Sequence, residues 1–147
     1  MEGVHISHDT KVGDHCVFGY GTKIAGDCEI GEGAIFSSSV IENAKTRVGD
    51  LAMIQAGSTF SKDVPPYIVA GGKPINYGGT NKTLMNVVGV SEDVQKHIAN
   101  AYRLVFHGQN SVFDAAIQIK QQVPDSEEIR KIIDFINTTK SGIISKL

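Results

Sequence analysis

Every sixth residue from Ile6 onward is large and apolar, with one exception. The column runs Ile6, Val12, Phe18, Ile24, Ile30, Phe36, Glu42, Val48, Ile54 and Phe60. Two positions earlier, a second column reads Val4, Thr10, Cys16, Thr22, Cys28, Ala34, Val40, Thr46, Ala52, Ser58 and Val64, all small or β-branched. The position after the apolar one is mostly small: Ser7, Gly13, Gly19, Ala25, Gly31, Ser37, Asn43, Gly49, Gln55 and Ser61. Residues two apart on a strand share a face, so both inward columns point into one core. A six-residue unit is then one short strand and one tight corner. Three units close a triangular coil, and coils stack at the strand spacing of about 4.8 Å. The pattern predicts a left-handed parallel β-helix of hexapeptide repeats over residues 1–66, about 3.5 coils tall. Cys16 and Cys28 fall in the small inward column, which predicts burial rather than catalysis or pairing. Glu42 breaks the apolar column. A bulged or shifted hexad, with Val40 and Ile41 covering the core, is the expected explanation. A functional buried carboxylate is the alternative.

The hexads stop at Asp63-Val64-Pro65-Pro66, because proline cannot donate to a ladder. Residues 67–90 contain Gly71-Gly72-Lys73-Pro74 and Gly78-Gly79 and read as a Gly/Pro-rich connector with short extended pieces. From residue 91 to 147 the period becomes helical, and three helices are expected. Ser91 caps the first, with Val94, Ile98, Tyr102 and Val105 on one face and Gly108 at its end. Ser111 caps the second, with Val112, Ala116, Ile119 and Val123 inward and Pro124 closing it. Asp125 with Glu128 fits a capping box for the third, ahead of Ile129, Ile132, Ile133 and Ile136, and Gly142 ends it. The fold class is mainly β with an α tail.

Composition narrows the function. The 147 residues are 41% hydrophobic with a net charge of -2, which suits a packed domain and argues against nucleic-acid or membrane-surface partners. No apolar run approaches a membrane span, and the start lacks the features of a secretory signal, so a cytoplasmic location is expected. Two cysteines are too few for a disulfide framework.

The candidate chemistry lies in Val4-His5-Ile6-Ser7-His8-Asp9. Ile6 points inward, so His5 points outward, and His8 falls in the corner beside Asp9. An imidazole is the side chain best suited to take a proton near neutral pH. From spacing alone, two ordinary surface histidines are the favoured reading over catalysis. His5, His8 and His15 could also be metal ligands, but they do not form a compact set, and no metal is expected.

These residues also carry a resemblance. His5-Ile6-Ser7-His8-Asp9, Val12-Gly13, Ile24-Ala25-Gly26-Asp27, Asp63-Val64-Pro65-Pro66-Tyr67, Asn81 and Asn100-Ala101-Tyr102-Arg103-Leu104 occur in order and spacing along the chain. The pattern resembles the C-terminal part of the bacterial acyl-carrier-protein–UDP-N-acetylglucosamine O-acyltransferase family, which starts lipid A synthesis. The resemblance implies that His8 is the general base for the sugar 3-hydroxyl, that Asp9 orients the site and that the Gly26 N–H faces the oxyanion. It implies substrate contacts at His5, Asp27, Asn43, Ala56 and Asn81. It implies acyl-carrier protein and UDP-N-acetylglucosamine as partners, a homotrimer, and no cofactor beyond the carrier thioester. Lys45, Lys62, Lys73 and Arg103 are candidates for contacting the acidic carrier.

The chain departs from the family at several places. Asp27 and Asn43 stand where histidines are common. Thr83 and Val87 replace a Glu and an Arg that help hold the nucleotide. Ala56-Gly57 falls where acyl length is set. Family members carry further hexads upstream, so the chain is expected to be a truncated form, with Met1 an internal methionine. Two alternatives follow: a non-catalytic trimeric fragment lacking the substrate-binding coils, or another hexapeptide acyltransferase, acting on an amine or using acetyl-CoA.

Overall fold

A computed structural model describes residues 1–109 and 111–145. The expected parallel β-helix is present. Ten two-residue strands follow one another at six-residue spacing, from β1 (His5–Ile6), β2 (Lys11–Val12) and β3 (Val17–Phe18) to β10 (Thr59–Phe60). They stack into three faces. The first is β1-β4-β7-β10, with β4 at Lys23–Ile24 and β7 at Ile41–Glu42. The second is β2-β5-β8, with β5 at Glu29–Ile30 and β8 at Arg47–Val48. The third runs β3-β6-β9, with β6 at Ile35–Phe36 and β9 at Met53–Ile54, and continues into two further strands. Every pairing among these ten strands is parallel and joins residues eighteen apart, as in Val17↔Ile35 and Ile35↔Met53. Ile24, Ile30, Phe36, Val48, Ile54 and Phe60 are buried, and Cys28 is completely so.

The double proline does not stop the coil. Val64 still bridges Val48 in parallel. Pro65 and Pro66 then occupy a corner, where the ladder asks for no N–H donor. The chain resumes as β11 (Ile68–Gly71), parallel to β9, and β12 (Asn76–Thr80) returns antiparallel to it. Residues within the expected connector therefore extend the third face, and a short extra helix, α1 (Lys82–Val87), follows.

The three expected helices are α2 (Glu92–Phe106), α3 (Val112–Gln122) and α4 (Glu127–Thr138). Ser91 and Ser111 cap the first two as read, accepting from the Val94 and Asp114 N–H groups. The third cap differs. Ser126, not Asp125, accepts from the Ile129 N–H at 3.1 Å, and Asp125 pairs with Arg130. A hydroxyl one residue later still reaches the third helical amide, which leaves the carboxylate for an ion pair. Helices α2 and α4 end before the glycines expected to stop them, at Phe106 and Thr138.

The helices are bolted onto the solenoid by buried polar contacts. Tyr102, fully buried, donates its hydroxyl to the Pro66 carbonyl. Asp63, 1% exposed, accepts from the Arg47 N–H at 2.8 Å and the Thr139 hydroxyl at 2.6 Å. The Arg47 guanidinium lies 4.2 Å over the Phe135 ring and donates to the Phe135 carbonyl. These bonds satisfy groups that would otherwise be costly to bury.

The bulge expected at Glu42 is absent. Glu42 pairs in register with Ile24 on one side and Phe60 on the other, and its side chain is 0% exposed. Ile41 points outward and is 43% exposed. Strand pairing on both sides holds the hexad in register, and a one-residue slip would turn every inward side chain out.

Candidate active site

The corner between the first and second faces carries the candidate chemistry. Successive coils place His8-Asp9, Gly26-Asp27 and Asn43-Ala44-Lys45 above one another. The Asp27 N–H donates to the His8 carbonyl at 3.1 Å, and the Lys45 N–H to the Gly26 carbonyl at 3.3 Å. Asp9, Asp27 and Lys45 adopt φ of 58°, 60° and 63°. This left-handed conformation makes the tight corner, and aspartate tolerates it better than most residues.

His8 Nδ1 lies 3.0 Å from Asp9 Oδ2. A carboxylate can only accept, so the contact places a proton on Nδ1 and leaves Nε2 as the basic nitrogen. Both side chains are exposed, at 78%. Gly26 lies against the ring. A methyl group on Gly26 would sit 2.9 Å from His8 Cε1 and 3.1 Å from Nε2. Among the described residues, the Gly26 N–H has no backbone acceptor, while its neighbours Ala25 and Asp27 both donate. One corner thus presents a base, its orienting carboxylate and a free amide donor. Gly26→Ala is expected to push the imidazole aside and lower turnover about 100-fold with the fold intact. Steady-state kinetics beside circular dichroism check this.

Other expected site residues fall at varying distance. His5 points outward on the first face, and its Nε2 contacts Ser7 Oγ at 3.0 Å. Asp27 and Asn43 are exposed in the same corner stack as His8. Beside them a cleft of about 500 Å³ is lined by Asp27, Lys45 and Arg47. Ala56 is exposed but lies on the corner between the third and first faces, away from His8. Asn81 is 5% exposed and structurally engaged: its amide donates to the Leu51 carbonyl and its oxygen caps α1. One chain does not bring Ala56 or Asn81 to His8.

Burial and pairing single out Glu42, for which a buried carboxylate was the alternative reading, and the Arg47–Asp63 clasp, which was not anticipated. The break in the apolar column was the available signal for Glu42. Arg47 carries no such signal, because an outward arginine on a solenoid face is ordinary. His8, Asp9 and Asp27 each offer one ligand atom within 4.8 Å of the others, and all three are exposed. His15, by contrast, lies 3.8 Å from Glu32 on a different corner.

Comparison with known proteins decides the family. Residues 63–144, more than half of the chain, match the family described as UDP-N-acetylglucosamine O-acyltransferase, domain 2. The chain belongs to this family. The UDP-N-acetylglucosamine acyltransferase structure from Bacteroides fragilis 9343 superposes with a TM-score of 0.95 at 42% identity, over 97% of this chain and 56% of that one. The UDP-N-acetylglucosamine O-acyltransferase structure from Moraxella catarrhalis gives 0.91 at 34% identity, over 96% and 55%. The acyl-[acyl-carrier-protein]–UDP-N-acetylglucosamine O-acyltransferase of Thiobacillus denitrificans is 28% identical over 98% of this chain and 56% of its own length. The chain thus spans a little over half of these O-acyltransferase relatives. Among the described residues, no helix is long and apolar enough to cross a membrane.

Proposed function

We propose that the chain forms the catalytic-base part of an enzyme that moves a 3-hydroxyacyl group from acyl-carrier protein to the 3-hydroxyl of UDP-N-acetylglucosamine. This would be the first step of lipid A synthesis, in the cytoplasm. The observation that carries the reading is the 3.0 Å His8–Asp9 contact set against Gly26. His8 Nε2 takes the hydroxyl proton as the sugar oxygen attacks the thioester carbonyl. The Gly26 N–H meets the oxyanion. The tetrahedral centre collapses, the carbon–sulfur bond breaks, and the imidazolium returns its proton to the leaving carrier thiolate. An ester replaces a thioester, and no metal or other cofactor is needed.

A homotrimer fits two further observations. The outer side of the third face carries an apolar ladder, Val17, Ile35, Met53 and Val69, with Val17 48% exposed. A contiguous apolar stripe of this kind is normally covered by a partner. Ala56, exposed but remote from His8 in one chain, can join its site only across a subunit boundary.

A second reading is a trimeric scaffold that binds no substrate productively. It is favoured by Asn81, whose side chain is committed to the Leu51 carbonyl and to the cap of α1 and so is not offered to a ligand. Purified chain is mixed with a 3-hydroxyacyl carrier protein and UDP-N-acetylglucosamine, and product is followed by mass spectrometry. Acylated sugar nucleotide is the expected result. A trimer that forms none, under conditions where a longer chain containing these residues does, establishes the scaffold reading.

A further inference from the structure

Behind the His8 corner lies a buried polar cluster that the proposed reaction does not use. Glu42 and Cys28 are 0% exposed and Thr46 is 1% exposed. Thr46 Oγ1 lies 2.8 Å from Glu42 Oε2 and also 2.8 Å from the Asn43 carbonyl oxygen. Cys28 Sγ lies 3.3 Å from the same carbonyl and 3.8 Å from Thr46 Oγ1. Among the described residues, Glu42 Oε1 has no partner.

A count of hydrogens constrains this cluster. The Thr46 hydroxyl has one proton, and the Asn43 carbonyl can only accept. If Thr46 donates to Asn43, the Glu42–Thr46 contact needs its proton from Glu42, which must then be the neutral acid. If Glu42 is ionised, the charged carboxylate is the stronger acceptor and draws the Thr46 proton to itself. Asn43 then keeps only the thiol of Cys28, a weak donor.

We propose that Glu42 is a positioning residue whose proton decides whether Thr46 holds the Asn43 carbonyl, and with it the corner stacked above Gly26 and His8. Burial pushes the Glu42 carboxyl up to about 8, against the pull of the Thr46 and Cys28 contacts, and Asp63 adds to the rise. Asp63 faces it from the next coil and is itself paired with Arg47 at 3.5 Å. Cys28 faces it from the preceding coil, and burial raises that thiol too, so it stays protonated while Glu42 changes state. The neutral form of Glu42 therefore predominates at neutral pH and gives way in mildly alkaline solution. The consequence for catalysis rests on the proposed function, whereas the proton-dependent bond does not.

The test is an amide NMR titration of the full 147-residue chain, with no substrate present. In the wild type, the Asn43 and Thr46 resonances are expected to move together with a midpoint near 8. In Glu42→Gln, whose amide donates as the neutral acid does, they hold their low-pH positions throughout. Should Glu42→Gln fail to fold, Glu42→Leu, matching the apolar column, serves the same purpose. In Thr46→Val the Asn43 resonance no longer titrates. Asn43 resonances that stay fixed in folded wild type, or that titrate equally in the Glu42 variants, overturn the proposal. Because no transfer is measured, a failure of the acyltransferase reading cannot be mistaken for a failure of this one.

Discussion

Replacing His8 with alanine is expected to lower acyl transfer about 1,000-fold, in the shortest form of the protein that shows transfer. Among the described residues, His8 supplies the only imidazole in the corner stack, since Gly26 and Ala44 occupy the equivalent positions of the next two coils. The loss falls on kcat rather than KM, because a general base acts on the transition state more than on bound substrate. Asp9→Asn loses less, since an asparagine oxygen can still accept from Nδ1 but does not stabilise the imidazolium as well. Near-full activity in His8→Ala, measured by product formation at saturating substrates, would remove the base from the mechanism.

The second large effect is on stability. The Glu42 carboxyl sits at about 8 in the folded chain against an ordinary 4.5. Between those values the folded state keeps a proton that the unfolded chain has released. The associated stabilisation is therefore complete below the ordinary value, declines as pH rises toward about 8, and is absent above it. At about 1.36 kcal/mol per unit, the decline is on the order of 5 kcal/mol, a large share of a typical folding free energy. Glu42→Gln has no proton to lose and should show no such decline. Urea denaturation of both proteins at mildly acid and mildly alkaline pH reads the difference directly. Parallel pH dependence in the two would show that Glu42 ionises alike in the folded and unfolded chains. The apolar residues at every other place in this column also predict that Glu42→Leu is the more stable protein in alkaline solution.

The solenoid was legible because its rule is short-range and repeated. A period of six, an inward apolar residue and a small partner two before it encode each strand and corner in turn, so ten hexads say the same thing ten times. The helices were legible for a similar reason: apolar spacing and serine caps are local signals. The candidate base was legible as well, since His8 and Asp9 are neighbours in the chain and their contact needs only the corner's backbone shape.

What escaped was whatever depended on residues distant in sequence. The prolines looked like a terminator until the coil placed them at a corner. Asn81 looked free for a ligand until folding committed its amide to Leu51 and its oxygen to α1. Asp63 became an anchor only when α4 brought Thr139 to it. Glu42 looked like a fault in the pattern, because a carboxylate is costly to bury when considered alone. The neighbouring coils hold its strand in register whatever its own preference, and Thr46 and Cys28 give it company there. The sequence by itself determined the repeat, the three longer helices and the candidate His8–Asp9 pair, since each is written in adjacent or periodic residues. Only the tertiary structure decided which polar groups are buried together and hence which of them can share a proton, because stacking brings residues eighteen apart in sequence within a few ångströms.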